Sequence, residues 1–406
     1  MTARSATNNA VLATNGSEAL RGGRVALVHD FLLDLRGAER VFLELCAMWP
    51  EADIYSAVYD EHGTEGRFSD RSVYTSFLQR LRPTVRTFRP LLPLYPAAIE
   101  SLDLSDYDLV VSSSSAWAHG VLCGVRALHV SYCHNPFRYA WNDRDETLER
   151  SNPLTRALLR ATFQRWRQWD KAVAERADRY IANSETTRTR IRAFFGREAQ
   201  VVHPPVETGR FAPGSVGAHY AVVSELMPHK RIDIVVEAFN RLRLPLIVIG
   251  DGPLGRSLSR QAGPTITFAG RVPDATVAQV LQGARALIVT SIEEFGIAAV
   301  ESQAAGRPVI ARHGGGALET VIDGVTGRFW SGGAGELAQA VLEFDDAAID
   351  PASCVRSAAR FDAVTFREGI REQIAAASAA MLRPHGQRQP LMATRLVRRA
   401  IPDAPH

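Results

Sequence analysis

Short apolar segments that alternate with amphipathic ones, in two separate series, constrain the fold of this chain most. The first series opens at residues 24–29 and ends at residues 201–206, and the second opens at residues 220–223. Two adjacent prolines and the sequence FAPG at 211–214 separate the series, as is typical of a linker. Strands that alternate with helices favour parallel sheets. The pattern therefore predicts an α/β protein with two doubly wound domains that face each other across a cleft.

The individual elements follow from the same alternation. Further strands are predicted at residues 107–112, 127–132 and 178–184 in the first series, and at 245–249, 266–269, 286–289 and 309–311 in the second. A helix is predicted at about 38–48, and Ser184 is placed to cap the helix that follows it. Residues 1–22 are small and polar, and residues 383–406 are rich in Arg, Pro and Gln, so both are predicted to be disordered tails.

Composition narrows the class of protein. A length of 406 residues suits two or three domains, and a net charge of +3 is too weak to indicate nucleic acid binding. The four cysteines show neither a CxxC pair nor metal-ligand spacing, which favours a reducing, cytoplasmic compartment. No apolar run approaches the roughly 18 residues of a membrane span, and the N-terminus lacks the apolar core of a signal peptide.

The segment EEFGIAAVE at residues 293–301 is the strongest candidate site. It places Glu293 at the carboxyl end of one predicted strand and Glu301 within the next helix, which begins near Gly296. Ligands of open α/β sheets bind at the carboxyl ends of strands, and a helix N-terminus suits phosphate. Carboxylates accept hydrogen bonds from sugar hydroxyls. Two solvated helix acids are the ordinary alternative, but the Phe-Gly turn and the flanking strands favour a site for a sugar joined to a phosphate.

A basic loop follows the strand at residues 220–223. Lys230 and Arg231 open the next predicted helix, where positive charge opposes the helix dipole. An exposed basic loop is the ordinary interpretation. A phosphate that neutralises the two cations is the functional one, and the glutamate pair elsewhere in the same series favours it.

Two segments of the first series are weaker candidates. Gly37 stands between a strand and a helix, where a backbone can approach a diphosphate, although glycine often marks only a turn. His134 follows a strand and precedes Asn135 and Pro136, so it is expected in a loop at a strand's carboxyl end. A single histidine is more often structural, but the polar and aromatic residues around His134 favour a site.

Other patterns indicate competing functions. The sequence GDGPLG at 250–255 follows a strand and matches a dinucleotide-binding fingerprint, but Pro253 removes an N–H where a phosphate would bind. Acid pairs at 106/108 and 143/145 lack the His or third acid of a clear ligand set, and no metal site is predicted. Residues 71–99 contain five arginines, no acids and interleaved aromatic and aliphatic residues. This stretch is either an amphipathic surface that contacts an anionic membrane or a solvated helix with a stripe that faces the core.

Together these motifs resemble the retaining glycosyltransferases of family four, which have the GT-B fold of two Rossmann-like domains. The resemblance covers roughly residues 24–366. It rests on the Glu-x₇-Glu segment, the Ser-x-Leu-x-Pro-x-Lys loop at 224–230, the glycine loop and the His-x-Pro loop. The sequences YCHNPFRYAW at 132–141 and GGGALE at 314–319 are most similar to the bacterial mannosyltransferase-like branch.

The resemblance implies a role for each candidate residue. Glu293 would hold the hydroxyls of the donor sugar, Lys230 would bind the diphosphate, and His134 would be the active-site histidine. The other positions implied in donor binding are Gly37 near the diphosphate, Val272 beside the nucleobase, the backbone of Phe295, Gly296 and Ile297 facing sugar and diphosphate, and Glu301 on the ribose. Many members carry Arg where Glu225 stands. Either Arg231 substitutes for that Arg, or this branch has another arrangement.

The resemblance also implies an organisation and a reaction. Residues 23–205 would form the acceptor-side domain and 206–361 the nucleotide-sugar domain, with a helix at about 362–382 crossing back. The reaction would move a hexose, best assigned as mannose from GDP-mannose with UDP-sugars as the alternative, to a glycan or polyprenyl-linked acceptor. Neither a tightly bound cofactor nor a metal is expected. An NAD-dependent oxidoreductase and a sugar-nucleotide epimerase are the competing functions for this architecture.

Overall fold

The computed structural model of this protein describes residues 23–381, so the predicted tails lie outside the described residues. The chain divides into two compact units. Unit 1 comprises the residues up to Ile181, Ile191–Gln200 and the residues from Arg371 on, and unit 2 comprises Ala182–Arg190 and Val201–Ile370. Among the described residues, no helix is both long enough and apolar enough to span a bilayer.

Unit 1 is built on a seven-stranded sheet in the order β3-β2-β1-β4-β5-β6-β7. Its strands are β1 (Val25–His29), β2 (Asp53–Ser56), β3 (Val73–Thr75), β4 (Leu109–Ser114), β5 (Leu128–Cys133), β6 (Arg179–Ala182) and β7 (Ala199–Val201). The pairs from β3 through β5 are parallel. β4 and β5 are buried along their whole length, as expected for central strands of a parallel sheet covered on both faces. The order reverses between β1 and β4, which is where doubly wound sheets open a crevice.

Unit 2 is built on a six-stranded parallel sheet in the order β10-β9-β8-β11-β12-β13. Its strands are β8 (Tyr220–Val223), β9 (Leu246–Ile249), β10 (Ile266–Gly270), β11 (Leu287–Val289), β12 (Val309–Arg312) and β13 (Gly327–Trp330). Here the order reverses between β8 and β11. Residues that follow these two strands are therefore brought together at the carboxyl edge of the sheet.

Helices connect the strands in both units. They are α1 (Gly37–Met48), α2 (Tyr95–Glu100), α3 (Arg144–Glu149), α4 (Pro153–Val173), α5 (Glu185–Phe195), α6 (Ile232–Leu242), α7 (Gly255–Gln261), α8 (Asp274–Gly283), α9 (Ile297–Ala304), α10 (Ala317–Thr320), α11 (Ala334–Leu342), α12 (Pro351–Ala359) and α13 (Ala363–Met381). The unit division runs through α13, whose residues up to Ile370 belong to unit 2 and whose residues from Arg371 belong to unit 1.

The predicted α/β class with two doubly wound parts is confirmed, with three differences in the elements. β2, β3 and β13 were not predicted, because each has only three or four residues and carries polar side chains. The strand predicted at 201–206 ends at Val201, since the prolines at 204 and 205 cannot donate to a strand ladder. The expected cap is present, with the Ser184 hydroxyl accepting the Thr187 N–H at 3.1 Å.

Residues 71–99 form several short pieces instead of one long amphipathic helix. β3 is followed by 3₁₀ turns at Phe77–Leu81 and Arg89–Leu94, and then by α2. Leu78 and Tyr95 are buried, whereas Tyr74 and Leu81 are exposed. This stretch therefore contributes to the core and also presents apolar side chains to solvent, and its contact with a membrane stays a prediction.

Candidate active site

Glu293 lies in the loop between β11 and α9, as the sequence predicts. Gly296 caps α9 with a φ of +92°, a left-handed conformation that glycine adopts without strain. Gly296 has no side chain that could cap this helix, and in the first turn the Ala299 N–H donates to the Gly296 carbonyl at 3.0 Å. The neighbouring acid Glu294 pairs with Arg190 at 2.7 Å, so the two consecutive glutamates contact different cations.

Lys230 and Glu293 form an ion pair in unit 2. Lys230 Nζ lies 2.8 Å from Glu293 Oε1, and the two side chains are only 17% and 27% exposed. Ser291 Oγ donates to the same carboxylate oxygen at 2.7 Å, and Thr290 Oγ1 donates to the Lys230 carbonyl at 2.8 Å. Because β8 and β11 are neighbours at the reversal of strand order, two residues 63 positions apart meet at the N-terminal side of α9.

The glycine-rich segment after β12 shapes the backbone of the Glu293 loop. The Gly316 N–H donates to the Glu293 carbonyl at 2.8 Å, and a Cβ at Gly316 would overlap the Phe295 backbone. Gly315 has a φ of +60°, and a Cβ at this position would overlap the Glu293 carbonyl oxygen. Side chains at these two positions would push the loop away. These glycines entered the prediction only through the family resemblance, although three consecutive glycines are themselves a signal of close backbone approach.

Glu301 is held by an arginine that the sequence analysis did not identify. Arg210 Nη2 contacts Glu301 Oε1 at 2.9 Å, and the same guanidinium contacts Asp274. Its Nε lies 3.2 Å from Glu207 Oε2 without the geometry of a hydrogen bond. Asp274 begins α8, two residues after the half-buried Val272. Arg210 therefore links Glu301, the position predicted for the ribose, to the start of α8.

Arg231 is not part of the Lys230–Glu293 pair. It adopts a left-handed conformation with a φ of +53° at the start of α6, and its guanidinium pairs with Asp233 at 3.2 Å. About half of each of these two side chains is exposed. An ionic contact with a diphosphate would thus require Arg231 to exchange Asp233 for that ligand.

His134 lies at the carboxyl end of β5 in unit 1. Its Nε2 is 2.8 Å from Ser113 Oγ on β4. Burial and the neighbouring His29 ring lower the pKa of His134 to about 3, so the ring is neutral at physiological pH. Gly37 is the first residue of α1, and the Arg36 N–H before it donates to Glu39 Oε2 at 3.0 Å.

Asp30, at the end of β1, is a buried carboxylate that the sequence analysis did not single out. It accepts the N–H groups of Trp117 at 2.7 Å and Ala118 at 2.6 Å, together with the Ser115 N–H. These donors lie in the segment that directly follows β4. Asp30 therefore fixes the turn after β4 and so supports the edge on which Ser113 lies.

The GDGPLG sequence has a structural explanation. Gly250 has a φ of +129°, and a Cβ at Gly252 would lie 2.6 Å from the Leu226 carbonyl oxygen. These glycines are required by close packing of one loop against another, which removes the main argument for a dinucleotide site. No group of three or more His, Cys, Asp or Glu within residues 23–381 is arranged to hold a metal ion.

Comparisons with known proteins give two family matches and a set of similar proteins. Residues 35–210 match the family described as Glycosyltransferase Family 4, and residues 218–345 match the family described as Glycosyl transferases group 1. The D-inositol 3-phosphate glycosyltransferases of Mycobacterium bovis and Mycobacterium tuberculosis are 30% identical over 190 residues. That alignment covers 40% of this chain and 40% of those proteins.

Solved structures share the fold at low sequence identity. Anabaena Alr3699/HepE in complex with UDP has a TM-score of 0.65 at 19% identity, over 87% of this chain and 100% of that one. The sucrose-phosphate synthase of Thermosynechococcus elongatus has a TM-score of 0.67 at 17% identity, also over 87% and 100%. The apo form of the lipopolysaccharide outer core galactosyltransferase WaaB has a TM-score of 0.56 at 16% identity, over 87% and 99%. These similarities identify the two doubly wound units as the GT-B fold.

Proposed function

We propose that this chain, a GT-B glycosyltransferase by its two domain matches, transfers a hexose from a nucleoside diphosphate sugar to a hydroxyl group with retention of anomeric configuration. The acceptor is a glycan or a polyprenyl-linked saccharide in polysaccharide assembly. The single observation that carries this proposal is the Lys230–Glu293 pair beside the uncapped N-terminus of α9. A cation, helix amides and a carboxylate within one loop cluster match the chemistry of a diphosphate joined to a sugar.

Lys230 and α9 would stabilise the leaving group. Breaking the anomeric C–O bond places negative charge on the departing diphosphate, and fixed donors aimed at that charge lower the barrier. Lys230 supplies a full positive charge, and the first amides of α9 supply the positive end of the helix dipole. Arg231 would add a second cation after it exchanges Asp233 for the diphosphate.

The carboxylates would bind the neutral parts of the donor. Glu293 accepts hydrogen bonds from the hexose hydroxyls and so orients the ring, while the backbone of Phe295, Gly296 and Ile297 faces the sugar and diphosphate. Glu301 binds the ribose, and Val272 contacts the nucleobase. Each assignment requires Glu293 and Glu301 to release the cations that they contact in the unliganded protein.

The residues of unit 1 would act on the acceptor side of the reaction. Gly37 allows the backbone before α1 to approach the diphosphate, and His134 stabilises the region of the sugar cation. Attack would occur on the face from which the diphosphate leaves, with a phosphate oxygen taking the acceptor's proton. This path needs no carboxylate nucleophile, in contrast to retaining glycosidases.

Two classes of donor are proposed, GDP-mannose and UDP-sugars. Mannose from GDP-mannose follows from the branch resemblance of the YCHNPFRYAW sequence. UDP-sugars are the alternative, because similar solved structures are described with UDP and UDP-glucose. Both nucleotides therefore belong in the same experiment.

A peripheral position at the cytoplasmic face of a membrane is proposed from residues 71–99. Five arginines, no acids and the exposed side chains of Tyr74, Phe77, Leu81 and Leu94 combine positive charge with apolar contact area. Flotation with anionic vesicles checks this proposal. Wild-type protein is expected to bind and Leu81→Glu to bind less, whereas absence of wild-type binding would contradict it.

A donor screen tests the proposed reaction. Purified protein is incubated with GDP- and UDP-sugars and a polyprenyl-linked acceptor mixture, and release of free nucleoside diphosphate is measured. Acceptor-dependent release is expected for one donor, with Lys230→Ala and Glu293→Ala each lowering turnover by about 100-fold or more. Glu237→Ala, which removes an exposed acid of α6, is the matched control. Near-wild-type turnover in either site variant would refute the assignment, and stabilisation by NAD alone would indicate an oxidoreductase.

A further inference from the structure

A second ion pair lies directly beside the Lys230–Glu293 pair in the sequence of the Glu293 loop. Glu294 Oε1 is 2.7 Å from Arg190 Nη1, and the two side chains are only 17% and 21% exposed. The Lys230–Glu293 pair is similarly enclosed, with side chains that are 17% and 27% exposed. The reaction proposed above uses Lys230 and Glu293, whereas Arg190 and Glu294 have no role in it.

Arg190 comes from a helix whose first turn is anchored within unit 2. This helix is α5, and the segment Ala182–Arg190 belongs to unit 2. The first backbone N–H of α5, that of Glu185, donates to both carboxylate oxygens of Glu319 at 3.0 Å. Arg190 therefore reaches Glu294 from a fixed position.

The backbone on both sides of Glu294 is fixed as well. Phe295 is only 3% exposed and packs on Phe361, with ring centroids 5.1 Å apart. On the other side, the Gly316 N–H donates to the Glu293 carbonyl at 2.8 Å. Glu294 cannot move away from Glu293 without breaking these contacts. Its charge therefore stays close to any ligand that Glu293 binds.

Two carboxylates on consecutive residues oppose the binding of an anion. Like charges raise the free energy of a site, and they do so more strongly where water is partly excluded. A nucleoside diphosphate would bring further negative charge to the same loop. Arg190 gives Glu294 a positive charge of its own, which leaves the charge of Lys230 to Glu293 and to the ligand that displaces it.

We propose that Arg190 is a positioning residue of the donor site, which compensates the charge of Glu294 and so allows a diphosphate to bind beside these two carboxylates. Arg190 acts through Glu294 and is assigned no contact with the ligand. The inference rests on the proposed function, because it takes a nucleoside diphosphate as the ligand of the Glu293 loop.

The two single substitutions distinguish charge compensation from mechanical bracing of the loop. Arg190→Gln leaves the charge of Glu294 and is expected to weaken binding of free GDP or UDP by about fivefold. Glu294→Gln leaves the charge of Arg190 and is expected to tighten this binding by about twofold to fivefold. The double variant is expected to bind within about twofold of the wild type. If the pair only braces the loop, all three variants should weaken binding alike.

Isothermal titration calorimetry of the full chain with GDP and with UDP measures these affinities, and thermal unfolding checks that each variant is folded. Arg190→Lys keeps the positive charge and is expected to bind within about threefold of the wild type. Arg188→Gln is the matched control, because Arg188 lies on the same helix but pairs with Glu185, and about half of each of these side chains is exposed. This control is expected to bind with wild-type affinity.

The outcomes separate this inference from the proposed function. Equal weakening in Arg190→Gln and Glu294→Gln, or wild-type affinity in Arg190→Gln, would overturn the role of Arg190 and leave the proposed function intact. If the wild type binds neither GDP nor UDP, the proposed function fails and the inference fails with it. If Arg190→Gln does not fold, Glu294→Gln decides alone, and weaker binding than in the wild type would overturn the inference.

Discussion

Substitutions at Lys230 and at Glu293 are expected to change the affinity for a nucleoside diphosphate in opposite directions. A half-buried pair at 2.8 Å lies between exposed ion pairs, which contribute about 0.2–1 kcal/mol, and hydrogen bonds to charged groups, which contribute about 1.5–3 kcal/mol. We expect a diphosphate that binds Lys230 to displace Glu293, so that binding loses about 1 kcal/mol of this interaction. Glu293→Gln keeps the shape but removes the charge. We therefore expect free nucleoside diphosphate to bind about fivefold more tightly to this variant.

The same variant is expected to lose about 100-fold or more in turnover, because the hexose loses its charged acceptor. Lys230→Met is expected to weaken binding of the free diphosphate by about 2–3 kcal/mol, which is roughly 30-fold to 150-fold. Isothermal titration calorimetry with UDP and GDP measures both effects, with Glu237→Gln on the exposed face of α6 as the control. Weaker diphosphate binding in Glu293→Gln than in the wild type would refute the idea that this carboxylate competes with the ligand for Lys230.

Two further predictions concern the loop and the buried histidines. Gly316→Ala is expected to abolish donor binding in calorimetry, because its Cβ would displace the Phe295 backbone. Gly335→Ala, near the start of α11, is the control and is expected to bind the donor normally, because its Cβ meets only the end of a flexible side chain. Equal affinities of the two variants would contradict the role of Gly316. Burial lowers the pKa of His129 from 6.5 to about 3, so stability present above about pH 6.5 is lost as pH falls toward 3, by about 2 kcal/mol at pH 5. In urea unfolding, the free energy of unfolding of His129→Gln should differ less between pH 7.5 and pH 5 than that of the wild type, by that amount. His62→Gln, at an exposed position, should show the wild-type difference. An unchanged difference in His129→Gln would refute the burial argument.

The sequence predicted those parts of the candidate site that depend on local patterns. The Glu293 loop was found because an apolar strand, a Phe-Gly turn and a helix start follow one another within about a dozen residues. Its meeting with Lys230 was expected only in outline, from the rule that ligands bind at the carboxyl ends of strands. The ion pair itself depends on the reversal of strand order between β8 and β11.

Contacts between residues that are far apart in the sequence could not be predicted from local sequence patterns. Arg210 and Glu301 are 91 positions apart, and an arginine in a linker carries no periodic or motif signal. The Glu39 segment was noticed for Gly37 alone, since the partners of Glu39 come from β1 and, through it, β4. The strands β2, β3 and β13 were missed for a different reason, because their few residues include polar side chains and do not form the short apolar run by which the other strands were recognised.

The ion pairs of Arg210 have a consequence for which nucleotides unit 2 would accept. The carboxylates of Glu207, Asp274 and Glu301 all contact one guanidinium. A neutral diol that takes the place of the arginine on Glu301 adds no charge to this cluster. An additional phosphate on the same pentose would instead bring negative charge close to these carboxylates. This part of unit 2 would therefore discriminate against 2′- or 3′-phosphorylated nucleotides by electrostatic repulsion.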